Sequence, residues 1–360
     1  MIKTLSYDGK NAFMFGDFMT EIIKPPRLKL GDTIGIFTPS NPAAVKYPEK
    51  YLHGLEELKR TGFKILEGSL TKNRASQGFR SGTPQERAQE FMDLYLDPKV
   101  NALMAVLGGS CSASMIPYLN FEAIKNTPKM IIGFSDVTAL HLALLKHASL
   151  ASVYGPMVIR TFAEWPHVLP YSLNSFLQAA SKLGEEQVEL SPPTEWSSTK
   201  GSWDDSEWNR QQKPFIKNSG WNVARKGSSR APVIMANLNT LVRAAGTEYF
   251  PDLTDKILII EEMRSTLSDL ERNLRHLERI GIFKIISGLI VSKPEYFFDE
   301  GAPFSLDDLV LEVVNTTNHH FPIITQFDCG HTTPMITIEQ MSIMTIVAED
   351  ESSPRIFIKY

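Results

Sequence analysis

The sequence predicts an α/β protein whose first part is a parallel sheet with helices on both faces, followed by a second domain of strands and a helix. Three observations carry this. From Lys29 to about residue 160, short β-rich runs alternate with helical periods, and repeated βα units of that length imply parallel strands joined by crossovers. From about Glu164 to Ser229 the pattern stops in favour of Pro, Gly, Ser and charge, and beyond it strand-like runs resume. At 360 residues the chain is long for one hydrophobic core and comfortable for two. The divisions expected are 1–28 as an N-terminal extension, 29–163 as the first domain, 164–229 as a connecting region and 230–360 as the second domain.

"DTIGIFTPS" reads as a strand ending in a Pro/Ser/Asn turn, and "YPEKYLHGLEELKRTG" as a helix stopped by Gly62. "FKILEG" is a strand. "TPQERAQEFMDLYLDP" is a helix begun at Thr83 and closed by Asp97-Pro98, "VNALMAVLGG" a strand, and "SASMIPYLNFEAIKN" helical in part. "KMIIGFSD" is then a strand running into an amphipathic helix. The connecting region carries Trp196, Trp203, Trp208 and Trp221, more large aromatics than a disordered linker tolerates, so an ordered surface loop or small hairpin region is expected. For any one of these tryptophans the simplest role is an anchor pinning the loop to the body. In the second domain "KILIIEE" is a strand, and Met263, Leu267, Leu270, Leu274, Leu277 and Ile280 form the buried stripe of a helix. "FKIISGLIVS" and "FPIITQFDCG" are further strands, and "ITIEQMSIMTIVAED" reads as a closing hairpin.

A net charge of -4 and the absence of like-charge blocks argue against nucleic acid or an anionic membrane as partner; small-molecule or peptide substrates fit better. The two cysteines, Cys111 and Cys329, lack the spacing of a zinc or redox motif, and a reducing cytoplasm is the simplest setting. The N-terminus is a poor signal peptide, and no window approaches the roughly 18 apolar residues of a membrane span. The first eighteen residues precede a second methionine, Met19, and read as a loose extension or a start-site artefact.

Ligand sites of open α/β sheets lie at the carboxyl ends of the strands. Gly108-Gly109 ends one strand before a helix start and leaves backbone N–H groups free to face an anion. Ser135 ends the next, with Asp136 opening the helix behind it. A serine on that bend can be a helix cap, a phosphate ligand or a nucleophile, and the corner resembles a nucleophile elbow that lacks the second glycine of G-x-S-x-G. A nucleophile needs a base and a carboxylate to orient it. Of eight histidines, His53, His141, His147 and His276 sit in expected helices, and His167, His319 and His320 in polar connections. His331 instead follows a strand directly, in "DCGHTTP", where a general base, a metal ligand or a turn residue would all look alike. Glu261 and Glu262 end "KILII"; they have an ordinary explanation at a helix start, and alternation lets only one face a site shared with His331. Neither a His-Glu-x-x-His nor a Walker or G-x-G-x-x-G pattern is present, so no metal and no nucleotide cofactor is expected.

"LGGSCSASMIPYLNF", "IIGFSDVTALHLALLKH" with "VYGPM", "NLNTLVRAAGTEYFPDLTDKILIIEE" and "DCGHTTP" occur in an order and spacing that resembles the LD-carboxypeptidase family of serine peptidases, from about Lys29 to the end. The Gly-Gly-Ser-Cys-Ser run and the tryptophan-rich insert are closer to that family's microcin C immunity branch. The resemblance implies a flavodoxin-like N-terminal domain, a β-rich C-terminal domain, a cleft between them and a homodimer. It also implies Ser135 as nucleophile, Glu261 as the group orienting the base, His331 as that base, and the amides of Gly109 and Asp136 as oxyanion hole. Trp203 and Asn237 become candidate substrate contacts. The family's usual Gly-Gly-Asn-Leu reads here "MANL", which keeps Asn237, and its Glu-Asp reads Glu261-Glu262.

The function this implies is cofactor-free cleavage of an amide bond near the C-terminus of a small peptide or peptidyl/aminoacyl nucleotide. A murein tetrapeptide is the alternative substrate. A rival of another class is a non-catalytic peptide- or nucleotide-binding protein on the same fold. An ordinary α/β-hydrolase esterase would need a G-x-S-x-G and a longer run of strands in one domain, and neither is seen.

Overall fold

The computed structural model describes residues 21–181, 187–199, 207–350 and 353–360. In the first domain β1 (Thr33–Phe37), β2 (Lys64–Glu67), β3 (Ala102–Ala105), β4 (Met130–Gly133) and β5 (Val153–Tyr154) form a parallel sheet in the order β2-β1-β3-β4-β5. Both faces of β3 and β4 are fully buried, as continuous apolar runs demand. Crossovers are made by α1 (Pro48–Arg60), α2 (Pro84–Leu96), a 3₁₀ turn with a short helix after β3, and α3 (Thr138–Ala148). Because β2 and β3 flank β1 on opposite sides, the loops leaving β1 and β3 diverge at a topological switch point. There the Asn41 amide donates to the Gly108 carbonyl at 3.1 Å.

The expected start of α2 is a complete capping box: the Glu86 amide donates to Thr83 Oγ1 at 3.2 Å and Glu86 Oε2 accepts the Thr83 amide at 2.7 Å, with Pro84 in the first turn. Thr83→Ala should lower stability by about 1 kcal/mol in urea denaturation. An unchanged midpoint would mean the cap contributes nothing.

The connecting region contributes more ordered structure than a loop. It holds α4 (Pro170–Ala180), whose Phe176 and Ala180 join the first core, a two-stranded ribbon of Glu195–Trp196 against Ile216–Lys217, and β6 (Gln187–Leu190), an edge strand of the second sheet. Pro170 occupies the first helical turn of α4, where its missing N–H costs nothing. Trp221 is buried, packs 4.7 Å from the Phe327 ring and donates through Nε1 to Asp328 at 2.9 Å. Trp208 is buried against His53 and Trp165. Both serve as anchors. Trp203 lies outside the described residues.

The second sheet adds β7 (Asn222–Arg225), β8 (Gly227–Asn237), β9 (Ile257–Glu261), β10 (Gly288–Ser292) and β11 (Ile323–Phe327). β12 (Ile338–Glu339), β13 (Ile343–Ala348) and β14 (Arg355–Lys359) follow. Its order is β6-β14-β13-β8-β9-β10-β11-β7, with β8 to β11 mutually parallel and the flanks antiparallel. Alternation divides β9: Ile257 and Ile259 join the first core, while Leu258 and Ile260 join a second core under α5 (Leu238–Ala244), α6 (Leu267–Arg279) and α7 (Leu306–Val314). Among the described residues no helix is long and apolar enough to cross a membrane.

Two expectations are corrected. "ITIEQMSIMTIVAED" is not a hairpin: β12 leaves the second sheet and pairs antiparallel with β5 of the first, Ile338 opposite Tyr154, whereas β13 pairs with β8 and β14. Met341, at φ +65°, and Gln340, whose amide exchanges two hydrogen bonds with the Met235 backbone, turn the chain between the sheets. The stripe of α6 is Leu267, Leu270, Leu274 and Leu277. Met263 precedes the Thr266 cap and Ile280 is 46% exposed beyond the last turn.

Candidate active site

Ser135 lies two residues beyond β4 at φ +65°, a left-handed conformation that costs a non-glycine residue about 1–3 kcal/mol. Its hydroxyl caps no helix, since α3 starts from Val137 without a side-chain cap. The glycine corner leaving β3 packs directly on the bend. A Cβ at Gly108 would sit 3.2 Å from both the Ser135 Cβ and the Asp136 amide nitrogen.

His331 and Glu261 reach the same place from the second sheet. The imidazole Nδ1 lies 2.6 Å from Glu261 Oε2, and Nε2 lies 3.1 Å from Ser135 Oγ. A carboxylate only accepts here, so Nδ1 carries the proton and Nε2 keeps its lone pair toward the serine hydroxyl. That is the tautomer needed to take a proton from Ser135. Gly330, at φ +73°, makes the approach: a Cβ there would fall 2.3 Å from Glu261 Oε2. The ring of Phe134 meets that of His331 edge-on at 5.0 Å.

Glu262 points the other way, as alternation requires. Its carboxylate accepts from the Asn239 amide at the start of α5 and from Asn237 Nδ2, so it serves the N-terminus of α5 rather than that of α6, which Thr266 and Asp269 cap. Burial, then the Glu261 charge, raise its pKa above the ordinary carboxylate value. Asn237 is buried; its Oδ1 accepts from Thr240, its Nδ2 is engaged with Glu261 and Glu262, and it does not line the cleft over Ser135.

Asp136 is placed as a brace between the corners. Its carboxylate accepts the Cys111 and Ser112 amides at 3.0 and 2.9 Å, and Ser40 Oγ accepts from Ser110 and Cys111. Arg87, fully buried, donates to the Cys111 carbonyl at 2.9 Å and to Ser114 Oγ at 2.7 Å. Gly109, at φ +156°, passes so close to Ser40 that a Cβ would lie 2.2 Å from its Oγ. The loop bearing the Gly109 amide is thus fixed against the bend bearing the Asp136 amide.

Several site groups were missed from sequence. Tyr154 Oη lies 2.6 Å from Glu261 Oε1 and 3.1 Å from the Ser135 amide. Arg160 donates to the His331 carbonyl and to Glu295, forming a buried ion pair. His141, by contrast, lies in a helix as expected, in α3 beneath the bend, with Nε2 donating to the Gly133 carbonyl, and burial pushes its pKa down to about 4. Tyr154 ends a strand in "VYGPM", so the strand-end rule was the available signal; nothing local marks Arg160 or Glu295.

Above Ser135 opens a cleft of about 290 Å³ lined by Gly109, Tyr47, Met157, Met263, Arg264 and His331 among others. Arg264 is exposed and brings positive charge to its rim. The arrangement offers a polarised hydroxyl, an acceptor for its proton, and an entrance suited to an anionic substrate.

Family models for the N-terminal and C-terminal domains of LD-carboxypeptidase match residues 34–155 and 230–342. A putative carboxypeptidase of Vibrio cholerae is 36% identical over 310 residues, 86% of this chain and 90% of that one. The microcin C7 self-immunity protein MccF of Escherichia coli is 35% identical over 312 residues, 86% of this chain and 89% of its own. A solved structure of MccF with glutamyl sulfamoyl guanosine superposes with a TM-score of 0.86 at 32% identity, covering 93% of this chain and 98% of that one.

Proposed function

The chain belongs to the LD-carboxypeptidase family, and from that premise we propose that it is a serine hydrolase cleaving an amide bond near the C-terminus of a small peptide or peptidyl/aminoacyl nucleotide. The observation that carries the reading is the contact of His331 Nε2 with Ser135 Oγ at 3.1 Å while Nδ1 is held by Glu261 at 2.6 Å.

Ser135 Oγ attacks the scissile carbonyl carbon as His331 Nε2 takes its proton. Glu261 stabilises the imidazolium. The amides of Gly109 and Asp136 bind the oxygen that becomes negative. Collapse of the tetrahedral intermediate breaks the C–N bond, and His331 passes its proton to the leaving amine. Water then attacks the acyl-serine ester, its proton going to His331 and returning to Ser135 Oγ as the acid departs. No metal or organic cofactor enters these steps.

The aminoacyl-nucleotide class is favoured by the likeness to MccF, whose structure holds glutamyl sulfamoyl guanosine. The test is mass spectrometry of purified protein with glutamyl sulfamoyl guanosine or with a murein tetrapeptide. Free glutamate from the first is expected. Product from the tetrapeptide alone would assign the chain to cell-wall peptides. Turnover of neither, with no fluorophosphonate labelling of Ser135, would leave a binding protein.

A further inference from the structure

The phenol of Tyr154 takes no part in the steps above, yet it is buried at the centre of the site. Its Oη carries one proton. Glu261 Oε1, at 2.6 Å, can only accept, and the Ser135 amide, at 3.1 Å, can only donate, so the direction of both bonds is set. Four contacts then close a ring. It runs from Ser135 Oγ to His331 Nε2, from Nδ1 to Glu261 Oε2, from Oε1 to Tyr154 Oη, and from Oη back to the backbone of Ser135. Tyr154 belongs to the first sheet and Glu261 to the second, so the ring crosses the boundary between them.

We propose that Tyr154 is a positioning residue that ties the Glu261 carboxylate to the strained backbone of Ser135, holding groups from separate sheets in one geometry. This rests on the serine-hydrolase reading. Without the phenol, Glu261 Oε1 has no donor and the carboxylate can turn about its last torsion, which has broad minima. Gly330 leaves no bulk to stop it, and the left-handed Ser135 loses a bond that fixes its amide. Burial and the neighbouring Glu261 charge hold the phenol pKa well above its usual value, so it remains a donor across the working range. Other ionisable groups surround the ring. His141 packs 5.6 Å from the Tyr154 ring, and burial, which pushes its pKa down to about 4, keeps it neutral. Glu262 lies on the far side of β9, Cys329 has a thiol pushed up by burial, Arg160 is on the His331 carbonyl, and Arg264 is at the cleft rim.

Tyr154→Phe keeps the ring that packs against Phe134 and His141 and removes only the hydroxyl. Expected is a fall in kcat of roughly tenfold to hundredfold, the range a lost charge-assisted hydrogen bond gives, with KM nearly unchanged. The acidic limb of the kcat/KM profile moves to higher pH, because a carboxylate no longer sharing its charge with the phenol holds the His331 proton more firmly. Fluorotyrosine at 154, a stronger donor that leaves the fold alone, moves the limb to lower pH. Activity lost with an unmoved limb in both variants, or wild-type kinetics in Tyr154→Phe, overturns the proposal. Wild-type protein that neither turns over substrate nor labels with fluorophosphonate sinks the hydrolase reading instead, so the two failures are told apart.

Discussion

Ser135→Ala is expected to lower kcat by roughly 10⁴- to 10⁶-fold and to abolish fluorophosphonate labelling, the scale found when an activated nucleophile is deleted. The loss should occur without unfolding, because the Ser135 hydroxyl caps no helix and its hydrogen bond is to His331. Ser135→Gly sharpens the result. It is equally inactive, but glycine adopts φ +65° without the cost a side chain meets there. Relief of that strain offsets the entropy glycine adds to the unfolded chain, so stability should match the native protein or exceed it by up to about 1 kcal/mol in chemical denaturation. A more stable, inactive glycine variant would show that the bend is kept for chemistry. Residual turnover within tenfold of wild type in either variant would remove Ser135 from the reaction.

Gly330→Ala is expected to be nearly as damaging from a position that does not line the cleft over Ser135. Its Cβ would fall 2.3 Å from Glu261 Oε2 and 2.5 Å from the carboxylate carbon, closer than real Cβ contacts come, and φ +73° penalises any side chain. Either the carboxylate swings off His331 Nδ1 or the turn carrying His331 shifts. The expected outcome is a fall in kcat/KM of roughly 10³-fold or more with a stability loss of about 2–4 kcal/mol, read from steady-state kinetics and urea melts. Near-normal kcat/KM would mean the Glu261 contact is dispensable.

Much of the architecture was legible because its causes are local. The alternation of apolar runs and helical periods fixes β1 to β4 and their helices, and Thr83 with Glu86 three residues on announces the start of α2. Ser135, Glu261 and His331 were legible as strand-end residues and through the resemblance of their motifs. Their convergence was not, because it depends on which strand ends of two sheets face one another. The same limit hid Tyr154 and the Arg160–Glu295 pair, whose partners lie more than a hundred positions away. The continuous alternation of "ITIEQMSIM" misled for a related reason: period two records that a segment is extended, not which sheet receives it. The Pro, Gly, Ser and charge content of 164–229 pointed to an ordered loop or hairpin, and the helix Pro170–Ala180 within it was not anticipated.

The excursion of Ile338–Glu339 has a wider meaning for how the molecule can be divided. A segment encoded after the imidazole returns to edge the strand that ends in Tyr154, and Gln340 beside it is stitched to Met235 in the opposite lobe. The two lobes are therefore interleaved along a shared seam, and a cut that isolates the serine-bearing half strips a border strand from it. Proteolytic fragments of this chain would have to recombine, rather than merely fold, before the hydroxyl could meet its base.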